Sequence, residues 1–523
     1  MRRLLAMATL LLVSGLLAGP ARAQGKSELT VALSSFSAET LDPALQGHNV
    51  KYYLSLMFDY LVGTTPEGQP SQAGGLASKW ENSADYKRWT FHLRKGVKFH
   101  NGDEMTSEDV KFSLQRAMGK RSTTGYAGPL RTLIQDIETP APDRVVIVTK
   151  ESMLIIPTYL SRSLSTEGMV LPKKYIEASG DDAFARKPVG TGPYKFVEQV
   201  VGSHIKLTAV DNHWRIGTPK YKTLTFKLVP EETTRIALLR RGDVDVADVS
   251  RERVKELERE GFPVYLRKDE AVIHMWWVLA PDGWVAPVKD KRVREALNLA
   301  IDRQEIAQSI FAGRAEPAAI PFGLSWSFRD IGFKVTPEMA YAYDPPRARK
   351  LLADAGHPNG FTLDVYAFQL PGFPEGKAFA EAVAGYWEKI GVKSKLIPVD
   401  YPAFRKQWVD RKVPGAMGYY NIANRDWIGT YALLEKQAYT PSKLNDTVND
   451  AEIDGMIAQV MRQTDRDKIN ALMRNIFTRL RSEHYGVPVV YVHSPYATSK
   501  TLGKWNPGAV MYDLFIDQLA ASK

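Results

Sequence analysis

Residues 418–434, GYYNIANRDWIGTYALL, gather Tyr419, Tyr420, Arg425, Trp427 and Tyr431 in a stretch with neither a helical nor a strand period. Aromatic side chains around one cation are the materials of a small-molecule cleft: the rings supply apolar area and the charge fixes orientation. A surface loop with a few rings anchored in a core uses the same residues, and the segment alone leaves both readings open.

Bond-making chemistry finds little support. QGKS (24–27) resembles the end of a phosphate loop, but the glycine required five residues earlier is Pro20. The GTG of 190–192 lacks the third glycine of a dinucleotide fingerprint, because Lys195 stands there. There is no H-E-x-x-H and no G-x-S-x-G, and the nine histidines are scattered without an i, i+4 pair. His92 and His100 read as surface residues, since no third metal ligand is near. The carboxylate pairs Asp181/Asp182 and Asp243/Asp245 read as turns and surface. A secreted glycosidase built from distant carboxylates is the one enzymatic alternative, and the expectation is a protein that is not an enzyme and carries no cofactor.

The elements that must position a cleft are legible. In WTFHLRKGVKFHNGDEMTSEDVKFSL (89–114), Trp89, Phe91 and Leu93 alternate with Thr90, His92 and Arg94, the period of a strand with one buried face. Asn101-Gly102 is a turn dipeptide led into by Val97 and Phe99. Thr106 or Ser107 then caps a helix, with Asp109 at capping-box distance from Thr106 and a stripe of Val110, Leu114, Ala117 and Met118. Residues 52–63 read as an apolar helix ending at Gly63. Residues 232–249 read as a helix burying Ile236 and Leu239, stopped by Gly242, then a strand Val244-Asp245-Val246.

Further on, AVIHMWWVLA (271–280) is a continuous apolar run bounded by Pro281-Asp282-Gly283, as expected of a fully buried strand. Residues 290–313 read as one helix with Val293, Leu297, Ala300, Ile301 and Ile310 on a face. Asp344 caps a helix stopped by Gly356, Phe361, Leu363 and Val365 then alternate in a strand, and a helix over 377–390 leads past Gly391 into another strand. Helix and strand patterns alternate, which predicts an α/β lobe.

The first 23 residues stand apart. Arg2 and Arg3 precede an apolar run from Leu4 to Leu17, and Ala21-Arg22-Ala23 makes a small-x-small cleavage site, the pattern of a secretory signal peptide. The chain has no cysteine and no later segment apolar enough to span a bilayer. It therefore reads as a soluble monomer of an export compartment, periplasmic and starting near Gln24. At 523 residues it is long enough for two or three domains. The leader carries three arginines and no acid, which takes the net charge from +10 to +7. Its basic clusters are mixed with acids and apolar residues, which argues against nucleic acid as a partner.

The 89–114 stretch closely resembles the signature of the periplasmic solute-binding proteins of the dipeptide, oligopeptide and nickel family, the receptors of ABC importers. The resemblance continues, in the family's order, through TLDPA (40–44), PVGTGPYKF (188–196), RGDVDV (241–246), RVREALNLAIDRQEI (292–306) and ARKLLADAG (348–356). It implies an α/β fold of two hinged lobes with a further domain inserted in the first. The first lobe would comprise 24–61, 191–278 and 488–523, the inserted domain 62–190, and the second lobe 279–487. It also implies a small-molecule ligand, closure of the lobes around it, and an inner-membrane permease and ATPase complex as partner. Residues 271–280 would fall at the lobe crossing, where Trp276 and Trp277 would reach the cleft.

The departures concern the ligand. Peptide receptors of this family carry, in the loop matching 418–434, a Trp, an Asp three residues on that holds the peptide ammonium, and then a Tyr. Here the run is Trp427-Ile428-Gly429-Thr430-Tyr431, so Thr430 replaces the carboxylate. The asparagine common near the crossing is replaced by Val278 or a neighbour. Without that acid an ammonium would lose a charge-assisted bond, whereas Arg425 adds a positive charge. The implied ligand is peptide-like, or a non-peptide anionic or neutral compound, or a metal chelate of the nickel-receptor type.

Overall fold

The computed structural model describes residues 27–519, apart from 37–38, 47–49, 67, 165, 279–283, 323–327, 329–330, 371–372, 422–430, 432–433, 435–437, 443–447, 509 and 511–512. Its strands in chain order are β1 (Glu28–Leu33), β2 (Gly63–Thr64), β3 (Pro70–Ser71), β4 (Ala77–Asn82), β5 (Arg88–Leu93), β6 (Ile134–Ala141), β7 (Arg144–Thr149), β8 (Tyr194–Val200), β9 (His204–Ala209), β10 (Thr223–Leu228), β11 (Val246–Asp248), β12 (Val264–Val278), β13 (Ala315–Pro317), β14 (Thr362–Ala367), β15 (Lys393–Pro398), β16 (Gly415–Asn421) and β17 (Val487–Thr498).

The 89–114 region folds as its pattern dictates. Trp89, Phe91 and Leu93 bury one face of β5, and β4-β5-β7-β6 form a separate four-stranded sheet. The chain reverses at Asn101-Gly102, where Gly102 takes a φ of +93° and the Phe99 and Asp103 backbones pair. Thr106 then caps the helix Ser107–Ala117. The Asp109 carboxylate returns to the Thr106 N–H at 2.9 Å, so the capping box is closed from both sides.

β2 and β3 pair by themselves, and the remaining strands form one large mixed sheet in the order β15-β14-β16-β12-β17-β11-β1-β10-β9-β8, with β13 beside β17. Two long neighbours, β12 and β17, belong to both lobes. Val264–Arg267 pair with Ser494–Ala497 on the side where β17 also pairs with β11; Val272–Val278 pair with β16. The ladder is interrupted between Arg267 and Ala271. The change of neighbours therefore falls at 268–270, beyond which Val272–Val278 run beside β16.

Three segments depart from their patterns. The helix expected over 52–63 spans only Lys51–Met57, and the chain then runs extended, with Tyr60 bridging to Met169 and Val62 to Ser161. Every residue from 51 to 62 is buried, so its hydrophobicity carries no period to mark the helix end. The helix expected over 290–313 is two, Lys291–Leu299 and Arg303–Ser309, because Asp302 accepts a hydrogen bond from Glu305 N–H and starts a new helix. The strand expected at 244–246 lies at 246–248.

Candidate ligand-binding cleft

Strand direction locates the cleft. β11 runs from Val246, opposite Thr498, to Asp248, opposite Tyr496, so its carboxyl end points toward the crossing. β16 runs from Gly415, opposite Val278, to Asn421, opposite Val272, so its carboxyl end points toward the crossing from the other side. β1 and β10 lie parallel to β11 in the first lobe, and β14 and β15 parallel to β16 in the second. Loops beyond the carboxyl ends of parallel strands are where open α/β sheets hold ligands, and here two such edges converge.

On the first-lobe edge, Ser34 donates from Oγ to Asp248 at 2.6 Å, and Arg235 Nε lies 2.9 Å from the same carboxylate. Burial pushes the Asp248 carboxyl up against the pull of Arg235. Arg251 follows in the same loop and crosses to the second lobe, where its Nη1 lies 2.8 Å from Glu375. At the crossing itself Arg267 is fully buried, with its guanidinium 5.8 Å from the Tyr496 ring centroid and Nη2 donating to Ser494 Oγ at 3.4 Å. Tyr52 and Tyr496 join hydroxyls at 3.3 Å beside it.

The structure divides the expected site residues. Trp277 is fully exposed to neither lobe's cleft: it is 0% accessible and stacks on Trp387 at 6.0 Å, whose indole N–H binds Leu297 O. Trp276 faces the opposite side of β12, enclosed by Tyr419, Trp408 and Phe322 at 4.6, 5.8 and 6.1 Å. Its indole N–H faces the His274 ring, with Nε2 the nearer nitrogen. Five residues beyond Ala271, at strand rise, set Trp276 about 17 Å from the crossing. Both tryptophans are thus buried in the hydrophobic core cluster, on opposite sides of β12. The apolar run of β12 concealed this, because it has no polar face to show which side meets solvent.

Tyr419 is partly exposed two residues before the carboxyl end of β16, with its hydroxyl 3.2 Å from that of Tyr401. Tyr420 is its strand neighbour, opposite Ile273. These two stand in a regular strand, not an aperiodic loop; Gly415, Ala416, Met417 and Gly418 gave β16 no alternation to read. Tyr431 is 1% exposed and belongs to the hydrophobic core. Arg425, Trp427 and Thr430 lie outside the described residues. Arg251 and Glu375 were missed altogether, since each sits in a loop and the pairing spans 124 positions.

Residues 72–440, more than half of the chain, match the bacterial extracellular solute-binding proteins, family 5. The chain belongs to that family. This receptor is 26% identical over 446 residues to the heme-binding protein A of Haemophilus influenzae, covering 80% of this chain and 78% of that one. It is 28% identical over 452 residues to the dipeptide-binding protein of Escherichia coli, covering 78% and 79%. The binding protein MoaA of A. tumefaciens R10, solved in complex with mannopinic acid, superposes with a TM-score of 0.80 at 24% identity, covering 95% of this chain and 100% of that one. The fold is the two-lobed binding-protein fold, and the receptor is the substrate-binding component of an ABC importer that captures a small solute for a membrane permease. Its relatives are periplasmic or extracellular proteins, and among the described residues no helix is long and apolar enough to cross a membrane.

Proposed function

We propose that the receptor captures a small anionic or neutral solute between its lobes, and that it does not hold peptides by their amino terminus. The observation that carries this reading is the convergence of the two parallel-strand edges on one crossing, the 422–430 segment being next in sequence after β16. That segment supplies Arg425, Trp427 and Thr430, and Tyr419 and Tyr420 lead into it. A cation with aromatic area suits a carboxylate-bearing ligand, and a threonine in place of an acid leaves an ammonium without its counter-charge. A relative of similar fold binds an acid, mannopinic acid, which supports the ligand class.

Closure follows from two-lobe logic. A ligand touching both edges is bound fully only when the lobes are together, so it shifts the population toward the closed state that the permease reads. The receptor returns its solute unchanged, works without a cofactor, and acts as a periplasmic monomer from about Gln24 once Met1–Ala23 are removed.

Mass spectrometry of the compound released from natively purified protein tests the ligand class directly. Calorimetry with a mixed dipeptide and tripeptide library follows. Sub-micromolar binding that requires a free peptide amino terminus would overturn the reading.

A further inference from the structure

Arg251 and Glu375 belong to different lobes, in the loops after β11 and β14. Arg251 Nη1 lies 3.0 and 2.8 Å from the two carboxylate oxygens, and the Arg251 backbone N–H is 3.4 Å from Oε1. The side chains are only 1% and 8% exposed. The guanidinium also lies 5.6 Å from the ring centroid of Phe311, a second-lobe residue.

Both partners sit in loops braced by backbone hydrogen bonds. Glu375 is the N-cap residue of the helix Gly376–Glu388, yet its side chain does not cap that helix. The loop leading to it is tight: Leu370 and Phe373 exchange backbone hydrogen bonds, and a Cβ on Gly376 would stand 2.2 Å from Phe368 O. On the other side, Ser250 N–H binds Glu232, and the Arg251 and Ser250 carbonyls accept from Val254 and Arg253. Two more arginine–glutamate pairs span the division, Arg314–Glu258 at 3.1 Å and Arg462–Glu151 at 2.7 Å. Their side chains are 28–67% exposed, so solvent screens them and they contribute little.

We propose that the Arg251–Glu375 pair is a built-in latch that holds the lobes together without ligand, so that the resting closed population is set by the chain itself. A contact between lobes exists only when they are together, so all of its free energy discriminates closed from open. When the lobes part, both groups regain water. The recovered solvation offsets most of the lost attraction and keeps the latch reversible. The inference requires the two-lobed fold and is independent of which solute is bound.

The chain has no cysteine, so Lys255→Cys and Lys377→Cys provide the only two spin-label positions, one exposed in each lobe. Pulsed dipolar spectroscopy on protein stripped of ligand by unfolding and refolding then reads the closed fraction. The parent is expected to show a substantial short-distance population. Glu375→Gln is expected to lower its closed-to-open ratio by about threefold or more, a shift that a modest coupling makes in a two-state equilibrium. Arg251→Met should do the same, and the double variant should lose no more than either single. Should Glu375→Gln fail to fold, Arg251→Met carries the test. A parent that is wholly open without ligand, or folded variants with the parent's distance distribution, would overturn the proposal.

Discussion

Arg162 and Asp513 form a two-pronged ion pair across 351 positions of chain, Nε and Nη2 lying 2.5 and 2.7 Å from the carboxylate oxygens. Asp517 takes the other side of the guanidinium at 3.1 Å, and all three side chains are at most 8% exposed. The contact joins the segment between β7 and β8 to the chain that follows β17. Arg162→Ala leaves two buried carboxylates short of their partner and is expected to cost about 3–5 kcal/mol in urea unfolding.

A pH dependence follows from the histidines. His100 is not a free surface residue: Nδ1 accepts from Gly190 N–H at 3.3 Å while Nε2 binds Gly192 O at 2.9 Å, which suits the neutral ring. Burial pushes His100 down to about 4, and burial together with Arg481 pushes His484 down to about 3. With folded values below the ordinary ~6.5, the unfolded chain takes up protons first, so stability is whole above about pH 6.5 and falls as the pH drops toward 4. Each histidine contributes about 1.4 kcal/mol per pH unit in the middle of that window. Urea titrations from pH 4.5 to 7 should show the slope, and His100→Asn should reduce it by one histidine's share.

Gly190 and Gly192 are required by close approach, not by phosphate binding. A Cβ on Gly190 would stand 2.1 Å from Met57 O, and one on Gly192 2.4 Å from Leu56 O, where the first helix ends. Gly192→Ala is expected to destabilise by about 1–3 kcal/mol in a thermal melt, as forced overpacking does.

Trp427 and Trp277 should respond in opposite ways. Trp427→Ala is expected to weaken binding of the co-purified solute by about 1–3 kcal/mol in calorimetry, with little change in ligand-free melting. Arg425→Ala should weaken an anionic solute further. Trp277→Ala should cost about 3–5 kcal/mol of stability through the cavity left against Trp387. Unchanged affinity in both loop variants would remove 422–430 from the site.

Legibility depended on whether an element has two unlike faces. β5 does, and Trp89, Phe91 and Leu93 announced it; Thr106 with Asp109, and Asp344 before its prolines, announced helix starts for the same local reason. Residues 51–62 and 271–278 are buried throughout, so neither the end of the first helix nor the sides taken by Trp276 and Trp277 were readable. Arg251 and Glu375 carry no local signal, because only tertiary folding brings their loops together.

β17 is synthesised after every other strand of the large sheet, yet it lies between β12 and β11 near the sheet's middle. Without Val487–Thr498, β12 lacks one neighbour and β11 has only β1. The β4–β7 sheet is complete without that last strand, but the edges of the two half-sheets stay open until it arrives. Such edges are places where chains stick to one another. The large sheet therefore becomes continuous only when the last strand of the chain is in place.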